Sequence, residues 1–238
     1  NIDYAPVTIN RYINVMKKLQ KAIPDFYGKE DITFHELNSD FIATFDLFLK
    51  TEAGLCRNTI VRYMKCFKRI TNMALAKEWM RKDPFYGYKM AQDETDPVFL
   101  TYPELKSIME KEFTIPRLAL VRDIFVFAAF TGLAFANVST LTKDNLVQDN
   151  NGDWWIRKGR VKLERRHRAS SVCNIPLLPV PLAILKKYEE HPICRKKSLC
   201  LPVICNQRMN SYLKEIADLC NIRKNLTTHT AKHSKIYI

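Results

Sequence analysis

The sequence predicts a mainly α-helical protein with a small antiparallel β-sheet, divided into two domains, and three observations lead there. Apolar residues recur at helical spacing through the first ninety or so positions. A polar stretch without periodicity, AQDETDP, then separates that block from the rest. Two short runs that read as strands sit among further helical segments in the second half. The 238 residues suffice for two modest domains, and 47% hydrophobic with 26% charged is an ordinary globular composition.

Asn10 to Ile23 carries Ile13, Val15, Met16, Leu19 and Ile23 near the helical period, and Pro24 is expected to close that helix. Ser39 or Asp40 is expected to cap a second helix with a stripe of Phe41, Phe45, Leu47 and Phe48, ended by Gly54. A third helix is expected from Asn58 or Thr59 to Met80, burying Ile60, Met64, Phe67, Ile70, Met73 and Ala74. Its other positions include Arg57, Arg62, Lys65 and Arg69, the last three at a spacing that shares one face. The expected organisation is a helical domain over 1–92, a linker over 93–99 and a second domain over 100–238.

The second domain opens on Thr101-Tyr102-Pro103-Glu104, where Thr at N-cap, Pro near N1 and Glu at N3 form a capping box for a helix to about Lys111. Arg117 to Phe130 reads as a buried helix, interrupted by Thr131-Gly132. Asp149 to Gly152 reads as a turn, Trp154 to Arg157 as a strand, and Ser171 to Leu178 as a second strand ended by Pro179. Between the strands, residues 157–168 hold seven Lys or Arg and one Glu, a hairpin too cationic to be a core element. Helices resume at Ala183 to Glu190 and Met209 to Cys220.

A formal net charge of +13 suits a polyanionic partner, because Lys and Arg release counterions from phosphates. Nucleic acid is therefore the leading partner class. The seven cysteines are scattered without a CxxC pair, so reduced thiols are expected rather than a disulfide framework or zinc site, and neither metal nor cofactor is expected. No apolar run approaches the roughly 18 to 20 residues of a membrane helix, and the first dozen residues show no basic-then-apolar leader. A cytoplasmic, nucleoid-associated bacterial protein is the expectation.

Phe130-Thr131-Gly132-Leu133, followed by Asn137-Val138 and Leu141, resembles the first box of the tyrosine recombinases, the phage and transposon integrases. Leu226-Thr227-Thr228-His229-Thr230-Ala231-Lys232-His233 resembles their second box, HxxR after a Thr-rich lead-in. A strand, a basic hairpin and NIPLLP lie between the boxes in the family's order. INRYINVMKKLQKAI and NTIVRYMKCFKRITNMALAKEWM resemble the family's core-binding domain, and integrases of Bacteroides-type mobile elements are the most similar group. The resemblance implies a helical core-binding domain plus an α+β catalytic domain, closing as a C-shaped clamp on double-stranded DNA, and a homo-tetramer on its attachment sites.

The resemblance also implies a chemistry. A tyrosine hydroxyl attacks a phosphodiester, and two arginines, a hairpin lysine and histidines stabilise the charge and move protons. Here Ala134 stands at the first arginine position and Asn137 at its acidic neighbour. His229 fits the second box, with Lys232 in the place of its arginine, keeping the charge but losing the planar fork. Arg160-Val161-Lys162 matches the RxK pattern, making Lys162 the hairpin candidate, whereas counting back from NIPLLP gives Arg168. Arg57, Arg62, Lys65, Arg69, Arg160 and Arg168 are the candidate DNA contacts, and His167 and His233 read as surface or local-cap residues. Two readings of the final residues stay open: Tyr237 is incidental to a sequence that stops short, or it is the nucleophile and a segment has been closed up between Ser234 and Lys235. The second is favoured.

Overall fold

The computed structural model describes residues 4–159 and 172–234, which group into two compact units, 1–95 and 96–238. The described residues are mostly helical with one three-stranded antiparallel sheet.

The first unit holds α1 (Pro6–Tyr27), α2 (Ser39–Thr51) and α3 (Arg57–Ala76), each packed on the other two. α1 runs through Pro24 rather than ending there. The missing N–H costs little where the residue is exposed, and Gly28 at φ +60° ends the helix by donating its N–H to the Pro24 carbonyl. The cap of α2 is Asn38, whose Oδ1 accepts from the Phe41 N–H at 2.9 Å. α3 starts at Arg57 and stops at Ala76, short of the expected Met80.

Phe41, Phe45, Phe48, Phe67 and Phe85 build the aromatic centre of this core, in edge and offset contacts with centroids 5.6 to 6.3 Å apart. Truncating one of them to Ala would cost about 3–5 kcal/mol. Several residues expected inside lie outside: Ile13, Met16, Leu47, Ile70 and Met73 are all exposed. Each helix shows a narrower face to the core than its apolar residues span, because three mutually packed helices bury only the central rows.

In the second unit, α4 (Tyr102–Glu110) starts in the expected capping box. α5 (Pro116–Thr131) is apolar around nearly its whole circumference, and it lies between α4 and the three later helices α7 (Pro179–Tyr188), α9 (Asn206–Leu219) and α10 (Thr228–His233). Gly132 at φ +66° caps α5, and a single turn, α6 (Phe135–Val138), follows. α8 (Pro192–Lys197) is a short helix that periodicity did not signal. Pro179, expected as a strand stop, is also the first residue of α7, four positions before the expected start.

The strands are β1 (Leu146–Gln148), β2 (Trp154–Gly159) and β3 (Val172–Pro176), in the order β1-β2-β3. β1 was not anticipated, since three residues are too few to show alternation. Ile156 sits opposite Leu146 and Ile175 and is fully buried, which fixes the face that the sheet turns to the core. The Asp149 carboxylate closes the expected turn by accepting from the Asn151 and Asp153 N–H groups and the Trp155 indole. Asp123, buried on α5, accepts from Arg122, Lys187 and Tyr188 at 2.7, 2.6 and 2.8 Å and so ties α7 to α5. Burial, then the bond to Asp123, pushes the Tyr188 phenol well above its ordinary pKa.

All seven cysteines are free. Among the described residues, no group of three or more His, Cys, Asp or Glu is placed to hold a metal ion, and no helix is long and apolar enough to cross a membrane.

Candidate nucleic-acid interface and reaction site

The two sequence boxes, nearly a hundred residues apart, converge in the second unit. Phe135 and Val138 of α6, and Thr228 and Ala231 of α10, line one small apolar void together with Ile124, Phe125 and Ala128 of α5 and Met209 of α9. Gly132, in the left-handed region at φ +66°, ends α5 three residues before α6 begins. Ala134 and Asn137 are half-buried on α6 and its cap.

α10 is held at both ends and along its buried face. Thr227 caps it, accepting from the Thr230 N–H, while the Thr228 N–H and hydroxyl donate at 2.8 Å to Asn210 Oδ1 and Asn206 Oδ1 of α9. At its far end the buried Ser234 hydroxyl donates to the Thr230 carbonyl and accepts from the Leu100 N–H at 2.7 Å. The loop before it is pinned by Lys224, whose Nζ donates to Glu104 Oε2 at 2.7 Å and to the Phe99 carbonyl at 3.1 Å. Burial would raise the Glu104 carboxyl, but Lys224 and the Thr101 N–H and hydroxyl together hold it below the usual range.

With Thr228, Thr230, Ala231 and Ser234 buried, the helix turns His229, Lys232 and His233 outward. His233, expected at the surface, is exposed and pairs with His229. Its Nε2 lies 3.0 Å from His229 Nε2, with the rings edge to face and their centroids 4.5 Å apart. The i, i+4 spacing could have signalled this pairing. Lys158, near the end of β2, reaches the Thr140 carbonyl at 2.6 Å and Asn145 Oδ1 at 3.0 Å, bracing the sheet against the segment after α6. Lys162, Arg160, Arg168 and His167 lie outside the described residues, as does Tyr237.

In the first unit, Arg62, Lys65 and Arg69 are all exposed on α3. Arg57 is more deeply engaged, donating to the Lys89 and Ala91 carbonyls at 3.2 Å and reaching Asp46 at 3.4 Å. Asn58 and Asp93 exchange two hydrogen bonds, and Lys65 donates to Gln92. Residues 89–93, expected to be merely non-periodic chain, thus lie along the first half of α3. Arg69 donates to the Tyr4 hydroxyl at 2.9 Å and stacks over its ring.

The three-helix unit and the helix-and-sheet unit each have a known counterpart. Residues 3–90 match the family model of the phage integrase SAM-like domain. A crystal structure of a lambda integrase dimer bound to a COC′ core site superposes with a TM-score of 0.74 at 12% identity, over 98% of this chain and 79% of that one.

The fold is that of the integrases.

The XerH site-specific recombinase bound to a palindromic difH substrate gives a TM-score of 0.69 at 16% identity, over 96% of this chain and 67% of that one. The Tn1549 transposon integrase with circular-intermediate DNA gives 0.64 at 16% identity, over 94% and 79%. No curated protein sequence matches the chain.

Proposed function

We propose that this chain is a tyrosine recombinase, a site-specific recombinase or integrase that cuts and rejoins double-stranded DNA through a 3′-phosphotyrosyl intermediate. The observation that carries the proposal is the convergence of α6 and α10, with His229 and Lys232 on an exposed face backed by buried residues. Such backing holds catalytic groups in place before substrate arrives, which is where most of the rate gain in phosphoryl transfer originates. Structures of lambda integrase, XerH and Tn1549 integrase with DNA support the same reading, as does the net charge of +13.

In this reading the Tyr237 hydroxyl attacks the scissile phosphorus, and its proton passes to His229. Lys232 neutralises the non-bridging oxygens. The P–O5′ bond breaks as Lys162 protonates the leaving 5′-oxygen. Attack by a 5′-hydroxyl from another strand reverses the step, so phosphoester energy is conserved and the residues proposed need neither metal nor cofactor. Ala134 supplies no cation, so Arg160 or Arg168 of the hairpin takes over part of the charge. Arg62, Lys65 and Arg69 track the backbone, the bonds of Lys65 and Arg69 to Gln92 and Tyr4 being exchanged for phosphate, and Arg57 joins them only by releasing the Lys89 and Ala91 carbonyls. The working unit is a cytoplasmic homo-tetramer on two attachment sites, and the chain resembles integrases of Bacteroides-type elements.

Ala134 and Lys232 favour one second reading, a DNA-binding protein of this fold that does not cleave. Nicked, end-labelled duplexes drawn from DNA flanking the gene separate the two, with a denaturation-resistant adduct as the readout. We expect an adduct that Tyr237→Phe abolishes and that Lys232→Arg accelerates about tenfold or more, since a bidentate guanidinium replaces a point charge. DNA retained by both this chain and the Lys232→Arg variant, with no adduct from either, establishes the non-cleaving reading instead.

A further inference from the structure

The His229–His233 pair has a capacity that the proposed strand transfer does not use. Two exposed imidazoles one helical turn apart, with Nε2 atoms 3.0 Å apart, hold two ligand atoms close to chelating distance. Zinc–nitrogen bonds of 2.0–2.1 Å at a tetrahedral angle require a nitrogen separation of about 3.3 Å, so the rings need part by only a few tenths of an ångström. The same i, i+4 spacing on one helix face supplies the two histidines of the HExxH zinc motif. The rings meet edge to face, with planes at 86°, so a rotation about χ2 is needed to turn both Nε2 lone pairs toward one ion. Buried Thr228, Thr230, Ala231 and Ser234 fix the helix behind them, so little ordering is needed on binding.

We propose that His229 and His233 form a two-ligand site for a borderline divalent transition-metal ion such as Zn2+, Ni2+ or Co2+, and that occupancy of this site reversibly blocks the reaction face. Imidazole is the ligand these metals prefer, and hard cations such as Mg2+ or Ca2+ do not compete for it. In the neutral pair one ring carries its proton on Nε2. Binding moves that proton to Nδ1 and releases none, and the metal then occupies both Nε2 atoms. Among the described residues no third His, Cys, Asp or Glu completes the set, so water or a DNA phosphate oxygen fills the remaining positions. Exposed Lys232 on the same helix opposes the added charge, which keeps the site weak and its occupancy dependent on metal concentration. Binding stands independently of the strand-transfer proposal, and only the blocking of cleavage rests on it.

Paramagnetic Co2+ titrated into the full chain tests binding directly, in a Cys56→Ser, Cys205→Ser background that removes the two exposed thiols. The imidazole Cε1–H resonances of His229 and His233 are expected to broaden together, at about tenfold lower Co2+ than those of His35, His167 and His191. His233→Ala is expected to raise the Co2+ concentration needed to broaden His229 about tenfold. Broadening of His229 that is unchanged by His233→Ala, or no preference over the other three histidines, overturns the site. In the adduct assay, Zn2+ should slow the wild-type reaction and EDTA should restore it, and relative to its own metal-free rate His233→Ala should need about tenfold more Zn2+ for the same fractional slowing. Joint broadening of the pair without any adduct, at any metal concentration, would sink the strand-transfer reading and leave the metal site standing.

Discussion

Asp46 of α2 is the best place to test how the first unit holds its outgoing strand of chain. It is 7% exposed, and its Oδ1 accepts from the Tyr88 hydroxyl at 2.5 Å and from Arg57 at 3.4 Å, while Lys50 pairs with Oδ2. The three partners are not equal. Lys50 is half exposed and one turn away on the same helix, which limits it to a few tenths of a kcal/mol. The Arg57 contact is long. The Tyr88 bond is short and to a charged acceptor, worth about 1.5–3 kcal/mol. Asp46→Ala, which also leaves Tyr88 and Arg57 without their acceptor, should cost about 3 kcal/mol, and Tyr88→Phe about half of that.

Hydrogen exchange on the full chain reads this out locally. Amides of α2, the first half of α3 and residues 85–93 should exchange roughly a hundredfold faster in Asp46→Ala, while those of α5 and α9 stay unchanged. Burial pushes the Asp46 carboxyl up, but the Lys50 and Tyr88 hydrogen bonds and the Lys50 and Arg57 charges outweigh it, leaving it below the ordinary range. A carboxyl depressed by folding stabilises fully above its unfolded pKa and loses that contribution as pH falls through the folded one. The mutational difference should therefore be complete at pH 7 and shrink only below about pH 4. The Tyr88 phenol, pushed up to about 12 by burial and by Asp46, stays protonated throughout. An Asp46→Ala effect under 0.5 kcal/mol, or one equal at pH 7 and pH 2, refutes this account.

Three further outcomes are expected. Ser234→Ala removes the hydroxyl that bridges the Leu100 N–H and the Thr230 carbonyl, leaving a buried donor unpaired, and should lower stability by about 1–3 kcal/mol in chemical denaturation. Glu104→Ala removes both the cap of α4 and the anchor of Lys224, at a cost of about 1–2 kcal/mol. Its carboxyl is also held low, so in pH-dependent melts the penalty should persist at neutral pH and fade below about pH 4.5. Arg62→Ala should weaken DNA binding across sequences and reduce the slope of log affinity against log salt by about one unit, measured by fluorescence anisotropy.

The chain's local rules were legible from the sequence. Thr101 and Glu104 form a capping box within four residues, Gly132 stops α5, and the period of Val15, Leu19 and Ile23 marks α1, because each signal depends only on neighbours along the chain. The family boxes likewise nominate His229 and Lys232 as candidates, and both are exposed on α10. What the sequence could not determine is which candidates meet. Arg57 reads as one more cation of a basic helix, yet its guanidinium is taken up by residues 89 and 91 and by a buried carboxylate. Ile70 and Met73 follow the helical period as faithfully as Phe67, yet they are exposed while Phe67 is buried in the core. Capping, turns and periodicity are written in spans of a few residues. Burial, the meeting of α6 with α10 and the partner of each charge depend on contacts between distant segments, which only tertiary packing decides.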